Sequence, residues 1–130
     1  MDRRAQLKTG IWVDALIRRA QVAGAFACVV ERGDRDAGSV LVAVRGESGL
    51  TLYVPERDME GARVWRGEAL DEAALSARIA SRLDFDPDLM VVEIDDRAGR
   101  HFIEEPVLNS GSPEAGADAA AAARALFRDR

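Results

Sequence analysis

The sequence has one cysteine, one histidine, one lysine and four prolines in 130 residues. A lone cysteine excludes an internal disulfide and a thiolate zinc cage, so nothing here argues for an oxidising compartment. A lone histidine rules out the paired imidazoles of most transition-metal centres. No uncharged apolar run approaches the ~18 residues that a membrane-spanning helix needs. Basic charge is also short: 18 Lys plus Arg stand against 23 Asp plus Glu, a net charge of −5. That balance disfavours binding to a phosphate backbone, and no exposed run of aromatics with arginines compensates.

What remains is a composition suited to one small core. Hydrophobic residues make up 48% of the chain, and a chain this size can bury roughly two thirds of its unfolded surface. Arginine supplies all the basic residues except Lys8. Met1 to Lys8 is polar and has no apolar stretch behind it, so a bacterial cytoplasmic protein is expected.

Periodicity divides the chain. Ile11, Trp12, Ala15, Leu16 and Val22 fall on one helical stripe within residues 10–23, with Thr9 as N-cap and Gly24 as the left-handed residue past the end. From Phe26 the period becomes two. Phe26, Cys28 and Val30 alternate with Ala27, Val29 and Glu31; Val40, Val42 and Val44 alternate with Leu41 and Ala43; Leu50, Leu52 and Val54 follow, up to Pro55. With turns at 33–38 and 46–49 these read as an antiparallel meander whose first two strands lie centrally. A short strand over 63–66 comes next. Asp71 then caps a second helix carrying Leu75, Ile79 and Leu83, which Pro87 stops. Leu89 to Ile94 is a strong strand, 96–100 a turn and 101–103 a short returning strand.

The fold expected is α+β: a mainly antiparallel sheet of four to six strands covered by two helices, in the order α-β-β-β-(β)-α-β-β. Residues 1–106 form the domain. Residues 107–130, Ala-rich and carrying Leu126 and Phe127, form a flexible or weakly helical tail.

Three stretches carry a family likeness: Trp12 to Arg19, Arg32 to Val42, and Phe85 to Phe102. With them the chain, from about Arg3 to Pro106, resembles a family of small bacterial proteins known only as a domain of unknown function. The resemblance implies a single-domain bacterial cytosolic protein. It implies no activity, cofactor or catalytic residue.

The candidate constellations are modest. Asp84, Asp86 and Asp88 alternate as the first ligands of a calcium loop do, but Leu89 stands where that loop turns on glycine, so a helix end and turn are the plainer reading. His101 across a turn from Asp95 or Asp96 forms a candidate acid–base pair, with Glu93, Asp34 and Arg45 as further polar candidates. Cys28, between Phe26 and Val30, reads as an inert thiol in an apolar strand. Gly33 and Gly38 space like a phosphate loop but lack its lysine and following helix, so a hairpin turn is expected.

Charge is uneven. Arg3, Arg4, Lys8, Arg18 and Arg19 dominate the first 24 residues, whereas 84–105 hold eight carboxylates against Arg97 and Arg100. Such asymmetry suits partner association or internal pairing. The reading taken is a non-enzymatic binding or adaptor module, with an unknown protein partner or a second copy, and with no cofactor, metal, nucleic acid or membrane. The alternative is a small hydrolase or metal-dependent enzyme using His101 with Asp95 or Asp96. A ligand pocket near Trp12 is a third.

Overall fold

The computed structural model describes residues 8–109. Two helices and six strands follow one another as α1 (Thr9–Val22), β1 (Phe26–Glu31), β2 (Val40–Gly46), β3 (Gly49–Arg57), β4 (Arg63–Leu70), α2 (Glu72–Phe85), β5 (Met90–Asp95) and β6 (Val107–Asn109). The strands share one sheet in the order β1-β5-β2-β3-β4-β6. The class is α+β, as the alternation predicts.

The sheet is mixed. β1 runs antiparallel to β5, while β2 and β5 are parallel, as are β4 and β6. β2 and β3 are neighbours joined through only Glu47 and Ser48, a connection that two antiparallel strands alone can make.

The expected β1–β2 hairpin does not form, because β5 lies between the two strands. Alternation marks a strand but does not name its neighbour, and β5 is the more apolar partner. All of Val40–Val44 are buried, as are Met90, Val91, Val92 and Ile94. Each such side chain contributes roughly 1.5–3 kcal/mol of burial, so inserting β5 beside β2 shields more apolar surface than β1 could. β1 is therefore displaced to the margin of the sheet. Phe26 and Val30 are exposed there, not central as the sequence suggests.

The chain divides into two compact units. Within the described residues, one comprises 8–52 with 69–103, the other 53–68 with 104–109.

In the first unit, α1 packs against β1 through a stripe of Trp12, Val13, Leu16 and Ala20. Ile11 and Val22, expected on that stripe, are exposed. The buried side is turned by about one residue, which puts Val13 in the place expected of Ile11. Lys8, not Thr9, occupies the N-cap, and its side chain makes no cap bond. The Thr9 hydroxyl instead donates to the Gly38 carbonyl, and Gly10 N–H donates to the Arg35 carbonyl at 2.7 Å. A loop carbonyl thus caps the helix start, one way of satisfying its orphan N–H groups. Gly24, with φ of +92°, ends α1 in the left-handed region as expected. α2 begins as predicted, with the Asp71 carboxylate accepting from Ala74 N–H at 2.8 Å. Its Leu75 is buried. Residues 101–103 are not a strand but an irregular segment.

The second unit is built from the outer parts of β3 and β4 with β6. β3 runs on through Pro55 to Arg57, beyond its expected end. Val64 and Trp65 are both buried. Trp65 lies in register with Val107 of β6, and its N–H donates to the Pro106 carbonyl at 2.9 Å. The rest of the Ala-rich segment, with Leu126 and Phe127, lies outside the described residues, as do Arg3 and Arg4.

Candidate functional site

The turn after β5 gathers two of the predicted residues. Asp95 ends β5 and is exposed; Asp96 follows with its side chain only 5% exposed. Its carboxylate accepts from Arg100 three times: from the backbone N–H at 2.8 Å, from Nε at 3.0 Å and from Nη2 at 2.7 Å. Those Arg100 bonds, side chain first and backbone second, pull the Asp96 pKa down to about 2. The turn packs closely against β2. A Cβ on Gly46 would lie 2.8 Å from the Gly99 α-carbon, so no side chain fits at that crossing.

His101 is half-buried, and its Nδ1 accepts the Ile103 N–H at 2.9 Å. Desolvation lowers its pKa from the usual value. The Asp96 carboxylate is held by Arg100, and the imidazole closes on its own backbone. Phe102, between His101 and Ile103, has φ of 63°; it is the one non-glycine residue with positive φ among the described residues. The Arg19 guanidinium of α1 grips the Phe102 carbonyl through Nε at 3.0 Å and Nη2 at 2.8 Å.

Glu93 and Arg45 meet on the sheet. Arg45 Nη1 donates to Glu93 at 2.8 Å, and its Nε and Nη2 fork onto Glu72 of α2 at 2.7 and 2.8 Å. Both carboxylates raise the Arg45 pKa, Glu72 more than Glu93. One guanidinium thus ties α2 to β2 and β5. Cys28, half-buried on β1, stands opposite Glu93 in the ladder.

Asp34 sits at the other end of β5. Its carboxylate accepts from Asp36 N–H at 2.8 Å, and its N–H donates to the Asp88 carbonyl at 2.9 Å. β5 spans six residues between that end and Asp95, or about 20 Å at strand rise. Asp34 therefore does not join His101. The 33–38 loop is neither a hairpin turn nor a phosphate cradle. It crosses the end of β5, its glycines pressed against the backbone of Asp88 and Leu89, while Ser39 donates its hydroxyl to Asp86. Of the three alternating aspartates, Asp86 accepts from the Ser39 hydroxyl and from Asp88 N–H, and no group of three metal-ligating side chains occurs among the described residues.

Two shallow depressions flank the β2–β3 turn. One of about 450 Å³ is lined by Ser48, Thr51, Leu70 and Asp71 among others. The other, about 620 Å³, is lined by Phe26, Arg45, Asp95, Asp96 and Arg97 with two glycines and Glu47. Asp95, Asp96 and Arg45 share the second hollow, but His101, Glu93, Asp34 and Trp12 line neither. Arg35 pairs with Asp14 at 2.7 Å, both side chains more than half exposed. Of the five basic residues in the first 24, Arg19 is engaged inside the first unit, with the Phe102 carbonyl. Sequence reasoning missed Arg19, Arg100 and Phe102; only the positive φ of Phe102 marks that segment, and sequence does not show it.

With this arrangement in view, residues 7–104 match the profile of the family described as "Protein of unknown function (DUF1491)". The chain belongs to that family. A crystal structure of a DUF1491 family protein from Caulobacter crescentus CB15 is 46% identical, with a TM-score of 0.73, over 78% of this chain and 98% of that one. An NMR structure of a DUF1491 family protein from the same organism gives 46% identity and a TM-score of 0.69, over 78% and 96%. A solution structure of a protein from A. tumefaciens is 30% identical, with a TM-score of 0.66, over 77% and 94%. No curated protein matches the chain. No helix among the described residues is long and apolar enough to cross a membrane.

Proposed function

We propose that this DUF1491 protein is a non-enzymatic binding module that pairs with a second copy of itself along β1. One observation carries the reading: among the described residues β1 ends the sheet, and its face presents apolar side chains to solvent. Phe26 is 62% exposed and Val30 41% exposed. An edge strand offers a row of unpaired backbone groups to another strand.

The occupant follows from charge. The chain carries a net charge of −5, yet Phe26 to Val30 holds no charged residue. Two copies can meet antiparallel there without setting like charges against each other, in an isologous contact. The register of β1 slips between Val29 and Glu31, and such a bulge blunts an edge. A short, weak and concentration-dependent pairing is therefore expected. The Asp96 carboxylate tied to Arg100 and the His101 ring closed on Ile103 favour this reading over hydrolysis.

Sedimentation velocity across a wide concentration range tests it. Wild-type chain should shift from monomer to dimer, and Val30→Lys should remain monomeric while keeping its circular dichroism. A wild-type monomer at every concentration, or an equal dimer in Val30→Lys, overturns the reading.

A further inference from the structure

We propose that residues 100–103 form a pH-sensitive latch, which ties the exit of β5 to the C-terminal half of α1 while His101 is neutral and releases it when His101 takes a proton. Three side chains build the latch. His101 Nδ1 accepts the Ile103 N–H at 2.9 Å. Arg19 holds the Phe102 carbonyl through two N–H groups. Arg100 lies over the Phe102 ring, 5.0 Å from its centroid, and Nη2 reaches the Ala23 carbonyl at the end of α1, 3.4 Å away.

The device stores strain. Phe102 holds a left-handed backbone that bulky residues rarely adopt. Such a conformation persists only while its surroundings over-determine it. The imidazole bond on one side and the Arg19 grip on the other are those surroundings, and Ile103, buried, is the anchor beyond.

Protonation removes one restraint outright. An imidazolium donates from both nitrogens and accepts at neither, so Nδ1 can no longer take the Ile103 N–H. Two hydrogens would then face each other. Charged residues on the elements bonded to this segment and to the turn before it include Arg19 on α1, Arg45 and Glu47 on β2 and its turn, Asp96, Arg97 and Arg100 in the turn itself, and Glu104 just beyond. Arg19 bonds the carbonyl of Phe102, the neighbouring residue, and Arg100 lies over its ring, so a third cation beside them adds repulsion. Asp96 is engaged with Arg100. Desolvation also favours the neutral ring. The latch is therefore closed near neutral pH and opens as pH falls below the ordinary histidine range.

NMR on the full chain tests this. Nitrogen-15 shifts of the His101 ring should show a bare Nδ1 at pH 7.5. Hydrogen exchange of the Ile103 amide, corrected for intrinsic pH dependence, should lose about tenfold protection with the same midpoint as the ring. His101→Asn, whose side chain offers a neutral acceptor at every pH, should show no such midpoint. A proton on Nδ1 at pH 7.5, Ile103 protection indifferent to the ring's titration, or an equal loss in His101→Asn overturns the latch. Should that variant not fold, the coincidence or separation of the two wild-type midpoints decides.

Discussion

The carbonyl oxygen of Asp88 occupies the space that a Cβ on Gly38 would need. The two residues are 50 positions apart, and their contact is where the 33–38 loop crosses the end of β5. Gly38 N–H donates to the Asp34 carbonyl at 2.9 Å, and Asp34 N–H donates to the Asp88 carbonyl at 2.9 Å. The loop is thus closed on itself and pinned to the chain entering β5. Gly38→Ala forces backbone against backbone, which cannot give way as a flexible side chain can. The expected loss is about 2–4 kcal/mol in urea unfolding. Gly24→Ala meets open space but keeps a φ of +92°, so it should cost about 1 kcal/mol. Equal losses in the two variants would show that Gly38 serves only as a flexible turn.

That crossing also shows what sequence could and could not reveal. Gly33 and Gly38 are visible as punctuation, and a tight turn is the local reading of such a pair. Their actual partner is the Asp88–Leu89 backbone, contributed by a segment at least 50 residues away. The same limit explains β1. Its alternation is legible, but its neighbour is β5, and no local pattern carries strand order. Features set within a few residues were readable: the Asp71 cap, the stop at Pro87 and the left-handed Gly24. Of the candidate site, the sequence shows His101, Asp95 and Asp96 as neighbours. It does not show that Arg100 claims Asp96, or that Arg19 reaches from α1 to a carbonyl 83 residues on.

Asp96 makes a prediction about acid. In the folded chain its carboxyl titrates near 2, well below its unfolded range near 4. A depressed carboxylate contributes stability that is complete above the unfolded pKa and disappears as pH falls through the folded one. Unfolding free energy should therefore decline between about pH 4 and pH 2. Asp96→Asn removes this titration, so its stability should be lower at neutral pH and its decline over that interval shallower. Parallel pH profiles for the two proteins would refute the assignment.

Arg45 is expected to matter through Glu93 more than through Glu72. Glu72 is 66% exposed and Glu93 only 27%, so loss of the guanidinium leaves one carboxylate solvated and the other half-buried without this cation. Arg45→Met should cost about 1–2 kcal/mol. Adding Glu93→Gln should recover part of that loss, because the uncompensated charge is gone. Adding Glu72→Gln instead should change little. Chemical denaturation of these variants together with Glu93→Gln alone gives the coupling, and additivity between positions 45 and 93 would show that the bond at 2.8 Å contributes nothing.

In the second unit, Glu105 gathers the side chains of β4. Its Oε1 accepts from Trp65 Nε1 at 2.6 Å and from Arg63 Nε at 3.1 Å, and Arg63 lies over the Trp65 ring, 5.4 Å from its centroid. A buried indole N–H that loses a charged acceptor bears a desolvation cost. Glu105→Ala should therefore destabilise the β4–β6 pairing by about 1–3 kcal/mol. The indole proton resonance of Trp65 should move upfield, while that of Trp12, in the first unit, stays in place. Glu105→Gln retains an acceptor without the charge and should fall between wild type and Glu105→Ala in both measurements. An unmoved Trp65 resonance in Glu105→Ala would mean that the carboxylate does not hold the indole. Because the Pro106 carbonyl holds the Trp65 backbone N–H beside the Val107–Asn109 pairing, faster exchange of the Trp65 backbone amide in Glu105→Ala would show that the carboxylate supports β6 pairing. Unchanged exchange would confine its effect to the side chains.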